Sequence, residues 1–217
     1  MYKQLNLWED QEDLETAITQ AKLISNKLPL PDGDVVVYPK FFDLEKSDQL
    51  FSDLYNNTLW RQDSIKFYGK SIPLPRLTAW YGDNGKAYTY SGIEMNPEPW
   101  TPTLLSIKSK IESLADVEFN SVLLNLYRSG KDSVSWHSDD EPELGKNPVI
   151  GSVSFGDTRR FMFRRKGQKD GRKVEIDLTH GSLLIMKGKT QYFWQHQIPK
   201  TSKIVQPRIN LTFRVII

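Results

Sequence analysis

The carboxyl-terminal half of the chain consists of short β-prone segments separated by glycines, and this pattern restricts the fold more than any other feature. The predicted strands are 119–128, 149–155, 159–166, 172–178, 182–187, 191–197 and 208–216. Many short strands at regular spacing are typical of a sandwich, a barrel or a jelly roll. We therefore predict a mostly β protein of the α+β class, in which helices flank the sheet core.

Two helices are predicted before this β-rich region. The first covers residues 47–56, with Ser47 as its N-cap. Its apolar face carries Leu50, Phe51, Leu54 and Tyr55. The second helix begins at Thr101-Pro102, because proline is favoured in the first turn. Its apolar face carries Leu104, Ile107, Ile111 and Leu114. Residues 65–92 are aromatic and β-rich, and Asp83-Asn84-Gly85 is a hairpin turn signal within them.

The composition excludes several functional classes. The chain has no cysteine, so disulfides and thiolate-bound metals are excluded, and any metal must be held by His, Asp or Glu. The first residues lack the pattern of a signal peptide, and no apolar run is long enough to span a bilayer. We expect no membrane partner and a cytoplasmic location.

The charge is unevenly distributed although the formal net charge is only +2. Residues 159–173 contain eight Lys or Arg among fifteen residues and one acid. Such a block suits a surface that faces a polyanion such as nucleic acid. The alternative is a solvated hairpin with a charged tip.

A candidate metal site involves two of the three histidines. His137 and Asp139 are two residues apart, so on an extended strand their side chains share a face. Together with His196 they would form the two-histidine, one-carboxylate triad of non-haem Fe(II) oxygenases, which leaves coordination positions for a co-substrate and dioxygen. His180, before Gly181, is either a competing ligand or a turn residue, and the spacing does not decide between these.

The last strand pattern, "PRINLTFRVII", alternates between polar and apolar residues. Its polar face carries Arg208, Asn210, Thr212 and Arg214. Two arginines on one face are costly to bury unless they meet anions, and a small dicarboxylate would satisfy them because guanidinium groups bind carboxylates bidentately. The alternative is an exposed sheet face with solvated arginines.

Nine segments together resemble the AlkB family of Fe(II)/2-oxoglutarate-dependent dioxygenases, which dealkylate nucleic acids. The resemblance runs from about Phe67 to Val215 and is strongest to the branch that repairs double-stranded DNA. The segments are "FYGK", "PRLTAWYGD", "YTYSG", "NSVLLNLY", "HSDDEPEL", "PVIGSVSFGDTRRFMFRRK", "LTHGSLLIMKG", "WQHQIP" and "RINLTFR".

The resemblance implies a fold and a reaction. The fold is a double-stranded β-helix, or jelly roll, preceded by a nucleotide-recognition lid. We expect a tail over 1–30 and a single dioxygenase domain over 31–217, with the lid in 31–100 and the jelly roll in 101–217. The reaction oxidises the methyl group of N1-methyladenine or N3-methylcytosine in DNA and releases formaldehyde and succinate. The alternatives are the same chemistry on RNA and a catalytically silent nucleic-acid-binding module.

The resemblance also assigns the cofactor residues. The expected Fe(II) ligands are His137, Asp139 and His196, and not His180. Arg208 would pair with the distal carboxylate of 2-oxoglutarate. Asn125, Tyr127 and Asn210 would hydrogen-bond this co-substrate, and Arg214 would lie near Asp139 and the keto-acid end. Dioxygen is the second co-substrate that the resemblance implies.

The resemblance implies substrate contacts in four places. Asp140 and Glu141 are expected to recognise a cationic methylated base, or else they simply flank a loop. Tyr90 is expected to stack on the flipped base, or else it is a core residue of the lid. Tyr68, beside Phe67, is expected to wedge into the duplex, although the family residue there is phenylalanine. The expected contacts with the DNA backbone are Arg159, Arg164, Arg165 and Lys166.

One segment lies outside the family core. Residues 4–8, "QLNLW", resemble the short peptide by which bacterial replication proteins dock on the sliding clamp. The alternative is a tail whose Leu and Trp pack on the domain. We expect a monomer that acts on duplex and single-stranded DNA, associated with the nucleoid if bacterial and nuclear if eukaryotic.

Overall fold

The computed structural model describes residues 25–67, 70–85, 88–90, 93–95, 97–168 and 171–217, without the side chains of 66–67, 88–90 and 93–95. The described residues contain three helices, α1 (Leu44–Asn57), α2 (Pro102–Ala115) and the single turn α3 (Thr190–Phe193), with a 3-10 turn at Pro142–Leu144. The strands of the first half are β1 (Asn26–Lys27), β2 (Asp34–Tyr38), β3 (Ser64–Phe67), β4 (Lys70–Pro73), β5 (Leu77–Gly82), β6 (Tyr88–Tyr90) and β7 (Ile93–Met95). Those of the second half are β8 (Ser121–Tyr127), β9 (Val134–His137), β10 (Ile150–Gly156), β11 (Arg159–Arg165), β12 (Val174–Leu178), β13 (Ser182–Lys187), β14 (Trp194–Ile198) and β15 (Arg208–Arg214).

Two antiparallel sheets form the core. The major sheet has seven strands in the order β1-β2-β13-β10-β15-β8-β5, and the minor sheet has four in the order β12-β11-β14-β9. Strands that are neighbours in space are mostly distant in sequence, as expected for a jelly roll. The predicted mostly β core with flanking helices is confirmed. The sheet begins at Asn26–Lys27, inside the range predicted as a tail.

The major sheet is covered on both faces, and this determines where a site can form. One face packs against α1 and α2 through the apolar residues of β8, β10, β13 and β15, including Ile209, Leu211 and Phe213. The other face meets the minor sheet through a second apolar cluster that includes Leu123, Phe163 and Trp194. The polar side chains of β15 point into this space between the sheets, because successive residues of a strand face opposite sides.

The second predicted helix is confirmed, and the first needs a correction. Thr101 caps α2 with its hydroxyl, which accepts from the backbone N–H of Leu104. In α1, however, the N-cap is Asp43, whose carboxylate accepts from the N–H of Lys46. Ser47 lies inside the helix and is fully buried. An aspartate is as good a cap as a serine, so the helix starts earlier than predicted.

Two small hairpins, β3-β4 and β6-β7, precede α2 in the range predicted as a lid. The turn at Asp83-Asn84-Gly85 is present, with Gly85 at φ 80°, but β5 pairs with β8 and β6 pairs with β7. The turn therefore leads from the major sheet into a separate hairpin. Within the described part of the chain, no helix is both long and apolar enough to cross a membrane.

Candidate metal centre

The structure brings His137, Asp139 and His196 together at the edge of the minor sheet. His137 ends β9 and is the cross-strand partner of His196 in β14, so strand pairing alone places the two imidazoles side by side. Their ring centroids are 4.2 Å apart. Asp139 follows two residues beyond β9, and its Oδ2 lies 3.6 Å from His196 Nε2. One ligand atom from each residue lies within 4.8 Å of the other two.

The burial of this cluster sets its protonation. Burial, followed by repulsion from His137, lowers the pKa of His196 to about 3. Burial also lowers the pKa of His137, opposed by Asp139. Burial alone would raise the pKa of Asp139, but the charges of Arg214, His196 and His137 outweigh it and hold that pKa at about 2. Two neutral imidazoles and one carboxylate are the protonation states that a metal ion requires.

The ligands are held by neighbouring side chains. Arg214 donates from Nη2 to Asp139 Oδ1 at 2.5 Å, which leaves Oδ2 directed towards His196. Phe161 stacks on the His196 ring at 5.2 Å between centroids. His137 Nδ1 lies 2.8 Å from the carbonyl of Ser135, so this nitrogen carries the proton and Nε2 is the one available to a metal.

His180 lies elsewhere, which excludes it as the competing ligand. Its Nδ1 accepts from the backbone N–H of Gly156 at 2.8 Å, and its Nε2 lies 3.2 Å from Asp48 Oδ1. Both ring nitrogens are therefore engaged on the helix side of the major sheet. His180 is therefore a structural residue at the turn before β13 and not a metal ligand.

The polar face of β15 is buried, so the alternative of a solvated arginine face is wrong. Arg208, Asn210, Thr212 and Arg214 are all buried. Arg208 has no exposed surface, and its Nη2 donates to Ser154 Oγ at 2.9 Å. Its Nε and Nη1 are buried without a hydrogen-bond acceptor among the described residues. Burial lowers the pKa of Arg208 to about 10, so it remains a cation at neutral pH.

Asn125, Tyr127 and Asn210 lie on β8 and β15, the two paired strands beside this cation. The guanidinium of Arg208 lies 5.2 Å from the centre of the Tyr127 ring. The cross-strand pairs Arg208–Tyr127 and Asn210–Asn125 set these positions. Asn210 donates to Ser152 Oγ at 2.9 Å. A small cavity is lined by Asn125, Tyr127 and Asn210 and also by the side chains of His137, Asp139 and His196.

Sequence reasoning missed two buried polar residues beside this cavity. Arg76 donates from Nε to Asn125 Oδ1 at 2.6 Å, and Gln191 accepts from the backbone N–H of Asp139 at 2.9 Å. A signal existed for Arg76, since it stands directly before the apolar strand β5. The sequence contained no comparable signal for Gln191, because its contact with Asp139 joins segments that are distant in the chain.

Of the residues expected to recognise the base, Asp140 and Glu141 directly follow the ligand Asp139 in the chain. Asp140 is exposed, and its Oδ2 accepts from Lys166 Nζ at 2.7 Å. Glu141 is half-buried. Tyr68 is outside the described residues, and the same is true of the side chains of Phe67 and Tyr90, whose strands β3 and β6 are described only in backbone.

Three of the four basic residues lie on accessible positions at the end of β11. The guanidinium of Arg164 lies 4.5 Å from the centre of the Trp136 ring and donates from Nε and Nη2 to Gln195 Oε1. Arg165 pairs with Asp32 at 2.8 Å. Lys166 is the partner of Asp140 described above.

Arg159 differs, and its predicted contact with DNA is corrected by the structure. Only 3% of Arg159 is exposed, and it donates to the carbonyls of Ser129, Asp132 and Pro199. This guanidinium joins three loops instead of facing solvent. Arg159 lies on the same face of β11 as Phe161 and Phe163, which are also buried.

Comparison with known proteins agrees with this geometry. A family model described as the 2OG-Fe(II) oxygenase superfamily matches residues 34–214. The protein named alpha-ketoglutarate-dependent dioxygenase alkB homolog 3 of Mus musculus is 48% identical over 190 residues, which cover 84% of this chain and 66% of that protein. DNA oxidative demethylase ALKBH2 of Homo sapiens is 38% identical over 189 residues, covering 83% of this chain and 72% of that protein. The chain belongs to the AlkB family of 2OG-Fe(II) oxygenases.

The AlkB fold is also found by structural comparison. The solved structure titled "The structure of OsALKBH1" matches with a TM-score of 0.61 at 20% identity, over 83% of this chain and 97% of that chain. This likeness confirms the jelly-roll core. The match to alkB homolog 3 spans about two thirds of that relative's length. Identity is higher to alkB homolog 3 than to ALKBH2, and the preference for duplex DNA stays a prediction.

The family model that matches this chain is named for two groups, Fe(II) and 2-oxoglutarate. The residues present fit these groups. Two imidazoles and a carboxylate are the donors that non-haem Fe(II) takes in oxygenases. Arg208 also keeps two buried nitrogens, Nε and Nη1, without an acceptor among the described residues, and a carboxylate of 2-oxoglutarate would supply an acceptor for this cation.

Proposed function

We propose that this AlkB-family enzyme is a DNA oxidative demethylase acting on N1-methyladenine and N3-methylcytosine, with release of formaldehyde and succinate. The observation that carries the proposal is the buried His137/Asp139/His196 cluster, joined by one cavity to the strand that bears Arg208. A silent binding module needs neither feature. The substrate class follows from the relative named DNA oxidative demethylase ALKBH2.

The roles of the chain's own residues follow from their positions. His137, Asp139 and His196 would hold Fe(II), and Arg208 would anchor the far carboxylate of 2-oxoglutarate. Bound iron and 2-oxoglutarate supply the oxidation of the methyl carbon by dioxygen. Arg214 keeps Asp139 ionised and oriented, and the aromatic and aliphatic residues between the sheets exclude water from the cavity.

The methylated base is a cation, and the site offers it negative charge. We infer that Asp140 and Glu141, directly after the ligand Asp139, face the positive charge of the base. Methylation on the Watson–Crick edge also weakens pairing, so extruding such a base from a duplex costs less than extruding a normal one. Charge-neutralising Asp140→Asn should therefore lower demethylation without removing the metal.

The DNA strand would lie along the end of β11. Arg164, Arg165 and Lys166 place cations close to the metal centre, with Lys166 bonded to Asp140. Contacts between such residues and phosphates are sequence-independent and weaken with salt. This suits an enzyme that must find damage in any sequence.

The lid residues remain part of the proposal. We infer that Tyr90 stacks on the flipped base and that Tyr68, with Phe67 beside it, fills the gap left in the duplex. Stacking of a base on an aromatic side chain is worth roughly 1–3 kcal/mol. If Tyr68→Ala lowers activity on duplex DNA but not on single-stranded DNA, the wedge role holds, and equal effects on both exclude it.

One experiment tests the function. The enzyme is loaded with Fe(II) and 2-oxoglutarate and incubated with matched oligonucleotides that carry N1-methyladenine as single-stranded DNA, duplex DNA or RNA. We expect the methylated DNA oligonucleotides to lose the mass of the methyl group. The Arg208→Met variant is the negative control and should cause no such loss. Loss from RNA alone would establish the RNA alternative, and no loss from any polymer would overturn the proposal.

Two proposals concern partners and location. We infer that the enzyme acts as a monomer, which light scattering would check. We also infer that it is located with its DNA, at the nucleoid or in the nucleus, which imaging of a tagged chain would check. Residues 4–8, outside the described part, are proposed to bind a sliding clamp. A peptide of residues 1–15 that fails to bind a bacterial clamp in a fluorescence titration would remove this idea.

A further inference from the structure

The ligand Asp139 is the one member of the metal triad that strand pairing does not hold. His137 and His196 are cross-strand partners in β9 and β14. β9 ends at His137, so Asp139 lies two residues beyond the last residue of the strand. Arg214 fixes its carboxylate, but a carboxylate can rotate about the bonds that join it to the backbone. The direction of the Asp139 side chain therefore depends both on Arg214 and on what fixes the peptide group of Asp139.

Gln191 makes that contact from the other ligand-bearing segment. Its Oε1 accepts from the backbone N–H of Asp139 at 2.9 Å, and only 2% of Gln191 is exposed. Gln191 belongs to α3, the turn that runs directly into β14 and hence to His196. One buried hydrogen bond thus links the peptide of one ligand to the segment that carries another.

The orientation of the Gln191 amide is fixed by its second contact. Its Nε2 lies 3.4 Å from the sulfur of Met186. A thioether sulfur accepts hydrogen bonds weakly and cannot donate, so the NH₂ group faces Met186 and the oxygen faces Asp139. The adjacent Ser138 hydroxyl donates to the carbonyl of Trp194 at 2.9 Å, which ties the same two segments but leaves the Asp139 peptide untouched.

We propose that Gln191 is a positioning residue of the metal centre, which sets the direction of the Asp139 carboxylate through the Asp139 peptide N–H. Loss of its oxygen leaves a buried N–H unpaired, so the peptide of Asp139 turns to find another acceptor. The carboxylate then leaves the position in which it completes the triad with His137 and His196. This role is independent of which polymer the enzyme demethylates.

The test measures metal binding by the full chain without substrate. Co(II) is titrated into the metal-free protein, with affinity from calorimetry and coordination geometry from the visible absorption bands. We expect Gln191→Leu, which keeps the side-chain volume but removes the acceptor, to weaken Co(II) binding by roughly 10–100-fold and to change the shape of the bands. Gln191→Asn, which withdraws the amide by one carbon, should cause a smaller change of the same kind and serves if Gln191→Leu does not fold.

Thr190→Val is the matched control, because Thr190 is the adjacent buried residue of the same turn. Its hydroxyl bonds Lys187 and Asp34 and not the metal ligands. It should lower the melting temperature while Co(II) affinity and bands remain those of the wild type. If Gln191→Leu and Gln191→Asn keep the wild-type bands and affinity, or if Thr190→Val alters them equally, the positioning role is overturned.

Discussion

Arg214 donates a 2.5 Å hydrogen bond to the carboxylate of Asp139, and both side chains are almost completely buried. The two residues come from different sheets: Arg214 ends β15 of the major sheet, and Asp139 follows β9 of the minor sheet. The ion pair thus closes the jelly roll at the metal centre. It also explains why a carboxylate can stay ionised there, since burial alone would raise its pKa.

Removing Arg214 should destabilise the metal-free protein strongly. Arg214→Met leaves the charge of Asp139 buried without its main counter-charge, and breaking a buried pair in this way costs roughly 3–5 kcal/mol. Arg160→Met is the control, because the Arg160–Glu175 pair is exposed and such pairs are worth about 0–1 kcal/mol. Urea unfolding in EDTA measures both, and equal losses for the two variants would contradict the importance of the buried pair.

Arg208 should matter for the co-substrate and not for stability. Two of its nitrogen donors are buried without acceptors, so the metal-free protein gains little from this cation. We expect Arg208→Met to unfold at the same or a higher urea concentration than the wild type. Its affinity for 2-oxoglutarate should fall by about 30- to 1000-fold, the equivalent of roughly 2–4 kcal/mol for a lost charged contact.

Calorimetric titration of 2-oxoglutarate into the Mn(II)-loaded variants checks this prediction. Arg208→Lys keeps the charge but loses the planar fork, so its affinity should lie between those of the wild type and Arg208→Met. Mn(II) affinity should be unchanged in both variants. A large loss of folding stability with unchanged 2-oxoglutarate affinity would assign Arg208 to the fold instead.

The sequence predicted the strand β15 and its faces because alternation in a strand depends only on local order. The residues Arg208, Asn210 and Arg214 share a face in the structure as they do in the sequence. The residue types predicted a triad of two histidines and one carboxylate, but the choice of His196 over His180 came from the family resemblance. The pairing of His137 with His196 required the register of β9 and β14, which no local pattern contains.

Other features could not be predicted from charge or composition. Counting basic residues in 159–173 treated Arg159 as exposed, whereas strand alternation with Phe161 and Phe163 places it inside. The alternation of Arg159 with Phe161 and Phe163 is visible in the sequence. A guanidinium can be buried, however, only where hydrogen-bond acceptors are supplied, and here the acceptors come from loops that are distant in the chain. The contact of Gln191 with Asp139 depends on the same kind of long-range packing.

The metal-free protein should lose stability as the pH falls below neutrality. The pKa of His196 is about 3 in the folded chain, against an ordinary value of 6.5 in the unfolded chain. Between these values the unfolded chain binds a proton that the folded chain does not, so the free energy of unfolding decreases as pH decreases from about 6.5 towards 3. The largest slope that one such group contributes is about 1.4 kcal/mol per pH unit.

Urea unfolding between about pH 4.5 and 7 in EDTA measures this slope. His196→Gln removes the titrating group and should give a shallower dependence than the wild type. His137 acts in the same direction because its pKa is also lowered, so the variant keeps part of the slope. An identical pH dependence in the variant and the wild type would mean that folding does not lower the pKa of His196.

Lys166 and Arg159 make opposite predictions for the binding of undamaged DNA. If Lys166 contacts a phosphate, Lys166→Met releases one fewer counterion on binding, so the slope of log affinity against log salt should become shallower by about 0.7–0.9. Arg159→Met should leave this slope unchanged, because its guanidinium is bonded to three carbonyls inside the protein. It should instead lower the urea midpoint, since those buried carbonyls lose their donor. Fluorescence anisotropy over a series of salt concentrations measures the slopes, and a shallower slope for Arg159→Met with an unchanged one for Lys166→Met would reverse the assignment of the DNA-facing side of β11.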